Sequence, residues 1–478
     1  MKKHRSNQLN RLAALGAVIG TLCYGATCHG AQLSDDEIQA LIKRVNELEQ
    51  QVKALQRNRE VDQEVAADKA TNSATVSLGS GGLNVRSSDS NFTMIVHGYV
   101  QADDRTYFGA KTTPDTLLLR RVRPIVEGTV WSNFNYRVML DLASGNVTSS
   151  TANNVNILDD AYVNARLFDQ FQIQVGKNKS PVGLERLQST ADLFFVETGF
   201  ATELVPNYDL GAQIHNDYFA TPIGYSVGIF DGAADNSSQD ADSDEGKDVV
   251  GRLFFQPFLN KDIAPLKHIG FGAAGSIGTH SGGTPIAYKT PGQQTFFTCQ
   301  NVTPNGDQYR IDPQAYYFWG PFGLMGEYVL SSQKFTSNLH TGPGIERFNN
   351  TAWQVEASYF LTGEENSYKS TSLQHVVPWH RFTMGDGGWG AFELVARVQQ
   401  LTLDNNAFNR YGGAPFATAA SAQAATSWGV GVNWYLNANL KLNLDYESTT
   451  FTGGVPTPGT TPLATPEHVI LSRVQFQF

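Results

Sequence analysis

The sequence predicts an all-β protein: a transmembrane antiparallel β-barrel preceded by a short N-terminal coiled-coil helix. Three observations carry this reading. From Asn91 to Phe478, apolar residues recur at every second position in runs of about nine, with aromatics near their ends. Charges fall on the opposite face at the middle of those runs, which suits a wet interior. No stretch after residue 30 is apolar enough for a spanning helix, and a bilayer accepts only helices or closed barrels, because every backbone polar group needs a partner. Composition agrees: 17% of the 478 residues are charged, against a usual ~25%, alongside 45 glycines and 11% aromatics. This excludes intrinsic disorder. The net charge of −10 argues against nucleic-acid binding, which needs a basic face. Length alone suggests several domains, but one large barrel can absorb the whole chain.

In chain order, residues 1–30 are an export signal. MKKHRSNQLNR is basic, Leu12 to Ala26 is apolar but short for a bilayer span, and small residues follow, placing cleavage near Gly30. Removal takes four of the 35 basic residues and none of the 45 acidic ones, so the mature charge is −14. Cys23 and Cys28 leave with the signal, and Cys299 stands alone without an intrachain disulfide. Residues 33–60 form the coiled coil: Ile38, Val45 and Val52 at a, Leu41, Leu48 and Leu55 at d. Three heptads do not fix the number of strands, and a lone amphipathic helix has the same pattern. Residues 61–90 are polar and small, and read as a linker.

The barrel, 91–478, then follows. Trp428, Val430, Val432, Trp434 and Leu436 alternate with Gly429, Gly431, Asn433 and Tyr435; after an Asn-Ala-Asn turn, Leu440, Leu442, Leu444 and Tyr446 alternate with Lys441, Asn443, Asp445 and Glu447. The same pattern covers Phe134–Leu142, Trp353–Leu361 and Phe392–Val398. A soluble sandwich shares this period. Two features favour a membrane barrel: mid-strand charges (Arg137, Glu356, Glu393, Arg397, Lys441, Asp445) and a final alternating strand, Ile470 to Phe478, ending on an aromatic. That ending resembles the signal read by the barrel-assembly machinery, and makes Phe478 the expected contact. The alternation against Val122 and Val126 points Arg121 and Arg123 into the lumen, with Arg120 near a rim; Arg137 faces inward on the next strand.

With these segments the chain resembles the phosphate-selective porin O/P family of Gram-negative outer membranes. The likeness is carried by Leu119-Arg120-Arg121-Val122-Arg123, Leu158-Asp159-Asp160-Ala161-Tyr162, Val175-Gly176-Lys177, Pro181-Val182-Gly183-Leu184-Glu185-Arg186, Leu361-Thr362-Gly363-Glu364, Gly431-Val432-Asn433-Trp434-Tyr435 and the terminal strand. It implies a homotrimer of barrels in outer-membrane lipid, about sixteen strands each, passing small anions such as phosphate. It also implies an anion site: the arginine pair matches Arg120 and Arg121, the inward-loop positions match Arg186, Ser189 and Thr190, and the partnering carboxylate matches Asp159. Guanidinium forks and hydroxyls suit oxyanions because charge-assisted bonds replace lost hydration.

Three positions that are basic in phosphate-selective members are Tyr99, Asn135 and Gln174 here, and the segment from His280 to Arg310 offers mainly Lys289 and Arg310 in place of an arginine ladder. Arg123 and Arg137 rebuild a cluster nearby. The expectation is a passive porin that favours anions with weak phosphate specificity. Two readings stand beside it: a general porin whose arginines merely pair with Asp159, Asp141 and Glu127, and an envelope tether acting through a periplasmic coiled coil. No cofactor or metal is expected. Gly270-Phe271-Gly272-Ala273-Ala274-Gly275 lacks the following helix that a dinucleotide site needs. Asp240–Gly246 lacks the glycine and glutamate spacing of a calcium loop and reads as part of an acidic external loop, 231–248. His97 lies in a strand with no visible partner.

Overall fold

The computed structural model describes residues 34–109, 114–143, 157–217, 221–241, 244–283, 286–338, 344–369, 372–385, 387–411, 414–454 and 465–478. The signal segment 1–30, with its cleavage site, Cys23 and Cys28, lies outside the described residues. Among the described residues one α-helix, α1 (Asp35–Asn72), opens on a capping box: Glu37 N donates to Ser34 Oγ (3.4 Å) and Ser34 N to Glu37 Oε2 (3.2 Å). Its heptad seam is uncovered, from Ile38 at 43% exposed to Leu55 at 67%.

Residues 61–90 are not the expected linker. Helix α1 continues to Asn72, because 61–72 holds three alanines with Gln63, Glu64 and Lys69, all good helix formers, and no glycine or proline. The strands β1 (Thr75–Gly79) and β2 (Gly82–Arg86) then form a hairpin that bonds to the first barrel strand, β3 (Thr93–Phe108). Its two-residue turn, Ser80-Gly81, and the alternation of Val76 and Leu78 against Leu83 and Val85 supply the hairpin signal.

From β3 the wall runs antiparallel through β4 (Thr116–Val130), β5 (Phe134–Leu140), β6 (Leu158–Phe168), β7 (Phe171–Lys179), β8 (Tyr208–His215), β9 (Ile223–Phe230), β10 (Asp248–Phe255) and β11 (His268–Ser281). A small hairpin of β12 (Ala287–Lys289) and β13 (Thr295–Thr298) precedes β14 (Val302–Trp319), β15 (Phe322–Ser337) and β16 (Ile345–Phe360). An excursion carries β17 (Tyr368–Lys369) and β18 (Ser372–Leu373) before β19 (Ala391–Thr402). The pair β20 (Arg410–Tyr411) and β21 (Ala414–Pro415) lies before β22 (Ala424–Tyr435), β23 (Leu440–Thr452) and β24 (Glu467–Gln477). Strand β24 pairs with β3 from His468↔Phe108 to Gln477↔Tyr99 and closes a sixteen-stranded antiparallel barrel. Phe478 seals the seam, exchanging backbone bonds with Gly98 at 2.9 and 3.0 Å.

Outward positions are those read from the alternation: Trp428 is 48% exposed and Val430 47%, facing where lipid lies. Gly429 and Gly431 face inward and leave room for Glu447 and Asp445; a Cβ on Gly431 would lie 2.1 Å from Asp445 Oδ1. Short turns (131–133, 169–170, 320–321, 436–439) gather at one end of the barrel together with the 361–390 excursion, and most of the longer loops lie at the other.

The loop after β7, residues 180–207, turns into the lumen. Its entry requires Gly183, at φ +90°, whose N–H donates to Asp312 Oδ2 (2.7 Å). Buried backbone groups need partners, and the opposite wall supplies them. Glu327 accepts from Leu184 N (2.6 Å) and Glu185 N (3.1 Å), Asp445 from Val196 N (2.6 Å), Gln399 from Phe200 N (2.6 Å). Lys441 Nζ donates to Leu193 O (3.0 Å), Asn433 Nδ2 to Phe194 O (2.9 Å) and Gln475 Nε2 to Ala191 O (3.0 Å). The mid-strand charges Lys441, Asp445, Glu356 and Arg397 therefore fasten a loop or its neighbours instead of lining water. In its second half the loop's Phe200, Leu204 and Val205 join Tyr288, Phe296 and Phe297 of the β12–β13 hairpin and Phe335, Phe348 and Phe416 in an apolar core.

Candidate functional site

The site is built along the inner face of β4. A bulge in the β3–β4 pairing, where the register steps from Gln101↔Arg121 to Ala102↔Leu119, leaves Arg120 unpaired. This shifts the parity, so Arg120 and Arg121 both reach the loop carboxylate Glu197; Arg120 is not the rim residue that strict alternation predicts. Arg120 Nε lies 2.5 Å from Glu197 Oε1, Arg105 Nη2 3.1 Å from the same oxygen, and Arg121 Nη2 3.6 Å from Oε2. Arg473 adds a fourth guanidinium at 3.8 Å while holding Asp103 with two bonds of 2.7 Å. Burial alone would raise the Glu197 carboxyl, but Arg120, Arg121 and Arg473 hold it well below the usual range.

Two residues on, about 7 Å along the strand, comes Arg123. It pairs with Asp141 (2.9 Å) and Asp159 (2.7 Å) and donates to Tyr99 Oη (3.0 Å) and Thr190 Oγ1 (3.1 Å). Thr190 also bonds Tyr99 Oη (2.7 Å), which ties the inward loop to the wall at this level. Further toward the short-turn end, Arg137 pairs with Glu127 and with Asp160 (3.0 Å). His97, which looked partnerless, lies 3.3 Å from Glu127.

On the loop, Arg186 is buried and donates to Thr202 O and Asn236 Oδ1 (2.6 Å); burial pushes its guanidinium down from the ordinary value. Ser189 offers its N–H to Ser372 Oγ of the excursion (3.0 Å). Neighbouring Glu203 accepts from Lys289 N (2.9 Å) and Asn236 Nδ2 (2.7 Å), and burial raises its carboxyl to about 7.

Between the loop and strands β3–β9 lies a polar cavity of about 510 Å³. Arg123, Arg137, Ser189 and Thr190 of the expected site line it; Asp159 stands behind Arg123, Arg120 and Arg121 belong to the Glu197 cluster, and Arg186 lies away from the lining. Tyr99, Asn135 and Gln174 also line it. The lining holds four basic residues, Arg123, Arg137, Arg166 and Lys179, against the carboxylates of Asp160 and Asp217.

Sequence reasoning missed Lys179 and Glu197. Lys179 donates to Gln188 O (2.6 Å) and sits 5.6 Å from the Tyr208 ring, with no carboxylate pairing it among the described residues. Glu197 had a signal: it is the one charged residue between Leu193 and Thr202, and a carboxylate in an apolar run must find a partner. The G-x-G-x-x-G segment 270–275 lies within β11. The acidic stretch 231–248 is tied inward: Asp235 and Asp248 hold Arg310 (2.8 and 3.1 Å), and Asp240 holds Lys177. Arg310 is thus a neutralised wall residue of β14, not a loop cation. Among the described residues no metal-binding cluster occurs; Asp242 and Ser243 lie outside them.

The sequence profile of the phosphate-selective porin O and P family matches residues 95–478. No curated protein sequence matches the chain. Among solved structures, the outer-membrane-expressed OmpT of Vibrio cholerae is similar at TM-score 0.48 and 11% identity, over 81% of this chain and 98% of that one. The outer membrane channel DcaP of Acinetobacter baumannii is similar at 0.47 and 12%, over 82% and 99%. An anion-selective porin from Comamonas acidovorans is similar at 0.45 and 13%, over 81% and 100%. The chain belongs to the phosphate-selective porin O and P family and is an outer-membrane channel.

Proposed function

We propose that this member of the phosphate-selective porin O and P family passes small anions by passive diffusion, with weak preference for phosphate. The observation that carries the reading is the composition of the cavity lining, where the basic residues Arg123, Arg137, Arg166 and Lys179 outnumber the carboxylates of Asp160 and Asp217. Charged rings at a constriction set ion preference. Arg123 and Arg137, by contrast, are each engaged by two carboxylates. A phosphate must compete with those carboxylates, which favours general anion preference over tight binding. The proposed anion path comprises Arg120, Arg121, Arg123, Arg137, Ser189 and Thr190, with Lys179 added, and Asp159 and Arg186 stand behind it as buried supports. The uncovered seam of α1 supports assembly through a periplasmic coiled coil, membership of the family supports a trimer, and Phe478 at the closing seam supports its reading by the assembly machinery.

Reversal potentials across a KCl gradient in planar bilayers test the pore. The expected outcome is a chloride-side potential that moves toward the potassium side in Lys179→Glu. A cation-selective wild type would overturn the proposal.

A further inference from the structure

Four guanidiniums and two carboxylates meet beneath the long-loop half of β3, β4 and β24, an excess of two positive charges. Asp103 is committed to Arg473 by its two-pronged bond, so among the described residues Glu197 is the carboxylate that serves Arg105, Arg120 and Arg121, while Gln101 Oε1 accepts from Arg121 Nη1 (2.9 Å). Two of these guanidinium N–H groups, Arg105 Nε and Arg121 Nε, are buried without an acceptor. Such donors are costly to leave unmet, and a tetrahedral oxyanion offers more acceptor positions than one carboxylate. Arg120 keeps 29% of its side chain exposed, so the cluster is not sealed from solvent.

The loop beside Glu197 has moorings that do not use its carboxylate. The backbone on either side is held by other residues: Asp445 accepts from Val196 N (2.6 Å) and Arg397 donates to Glu197 O (3.1 Å). Its side chain therefore acts chiefly as charge. We infer that Glu197 is a built-in counter-anion, seated where a permeating oxyanion would sit on Arg105, Arg120 and Arg121, and that it sets how weakly the pore holds phosphate. A passing anion exchanges with a tethered carboxylate that is always present at high local concentration. Removing that competitor leaves the guanidiniums to recruit an anion from solution, since buried unpaired charge is strongly disfavoured.

The inference rests on the proposed anion path, and its test is chosen to separate the two. Full-length protein is reconstituted in planar bilayers, and the block of chloride current by inorganic phosphate is measured. In Glu197→Gln, half-block is expected at about tenfold lower phosphate, the equivalent of one charge-assisted hydrogen bond, with the reversal potential shifted toward chloride relative to wild type. Adding Arg120→Gln to that variant should return the block toward wild type. Unchanged or weaker block with raised conductance would make Glu197 a loop anchor and overturn the inference. Should Glu197→Gln not assemble, Glu197→Asp, which draws the carboxylate back, is expected to give an intermediate block, and an unchanged one overturns the inference equally. The comparison is with wild type, so the sign of the shift decides this inference even where a cation-selective wild type has defeated the anion reading.

Discussion

Two arcs of the same barrel wall use charge differently. On β14–β16, β19 and β22–β24, polar side chains reach across the lumen and bond the backbone of the inward loop. On β4–β6, charged side chains bond one another and face a cavity. The first arc is dry and structural; the second is wet and open to solute. A charged residue on an inward strand face is thus no sign of a conducting path until its partner is known.

The largest expected effect breaks or confirms that contrast directly. Arg397 is fully buried among Glu185 (3.6 Å), Glu356 (3.1 Å) and Glu447 (2.6 Å), and stacks 4.3 Å from Phe195. Arg397→Ala leaves carboxylates uncompensated in a dry site and should cost about 3–5 kcal/mol. Arg137 keeps 26% of its side chain exposed, so Arg137→Ala should cost ~1 kcal/mol after solvent screening. Thermal unfolding in detergent, followed by circular dichroism, compares the pair; equal losses would erase the distinction between the arcs.

A middle-sized effect sharpens it. Asp445 holds Val196 N with one oxygen, while Oδ1 is buried without a partner. Asp445→Asn keeps the acceptor and should leave single-channel current steady. Asp445→Ala strands the amide, at a cost of about 1–3 kcal/mol, and should make the current flicker as the loop leaves the wall.

The wall was legible in the sequence and the loop's moorings were not, for a physical reason. Alternation is local, so the outward faces of 428–432 and 134–138 and the inward Arg121, Arg123 and Arg137 follow from parity alone. Parity fails at one inserted residue, and the bulge beside Arg120 therefore turned a rim residue into a lumen residue. The bonds from Asp312 to Gly183 and from Asp445 to Val196 join residues 129 and 249 apart, a pairing that no spacing rule encodes. Lys179 was hidden in the same way: its place in the cavity lining comes from the fold of the loop against the wall, not from a motif. The stretch 61–90 was misread because small polar residues served helix and hairpin as readily as a linker.

The smallest effect concerns a third kind of mooring, at the short-turn end. His375 of the excursion lies 3.4 Å from Asp192 of the inward loop by Nδ1 and 2.7 Å from Ala438 O by Nε2. The hydrogen bond to Asp192 raises the imidazole above its ordinary 6.5, against the opposing effect of burial. A raised folded value means the contact is fully present below 6.5 and is lost as pH rises through the folded value. The neighbouring bond from Ser189 N to Ser372 Oγ should loosen with it. Because His375 is 36% exposed, the expected change is small, about a twofold loss of hydrogen-exchange protection at Ser189 between pH 5.5 and 8.5 after correction for intrinsic rates. His375→Gln should abolish that pH dependence. A pH response that survives in the variant would place the titrating group elsewhere. It would leave the excursion bound to the loop by its neutral contacts alone, as the dry arc is by its amides.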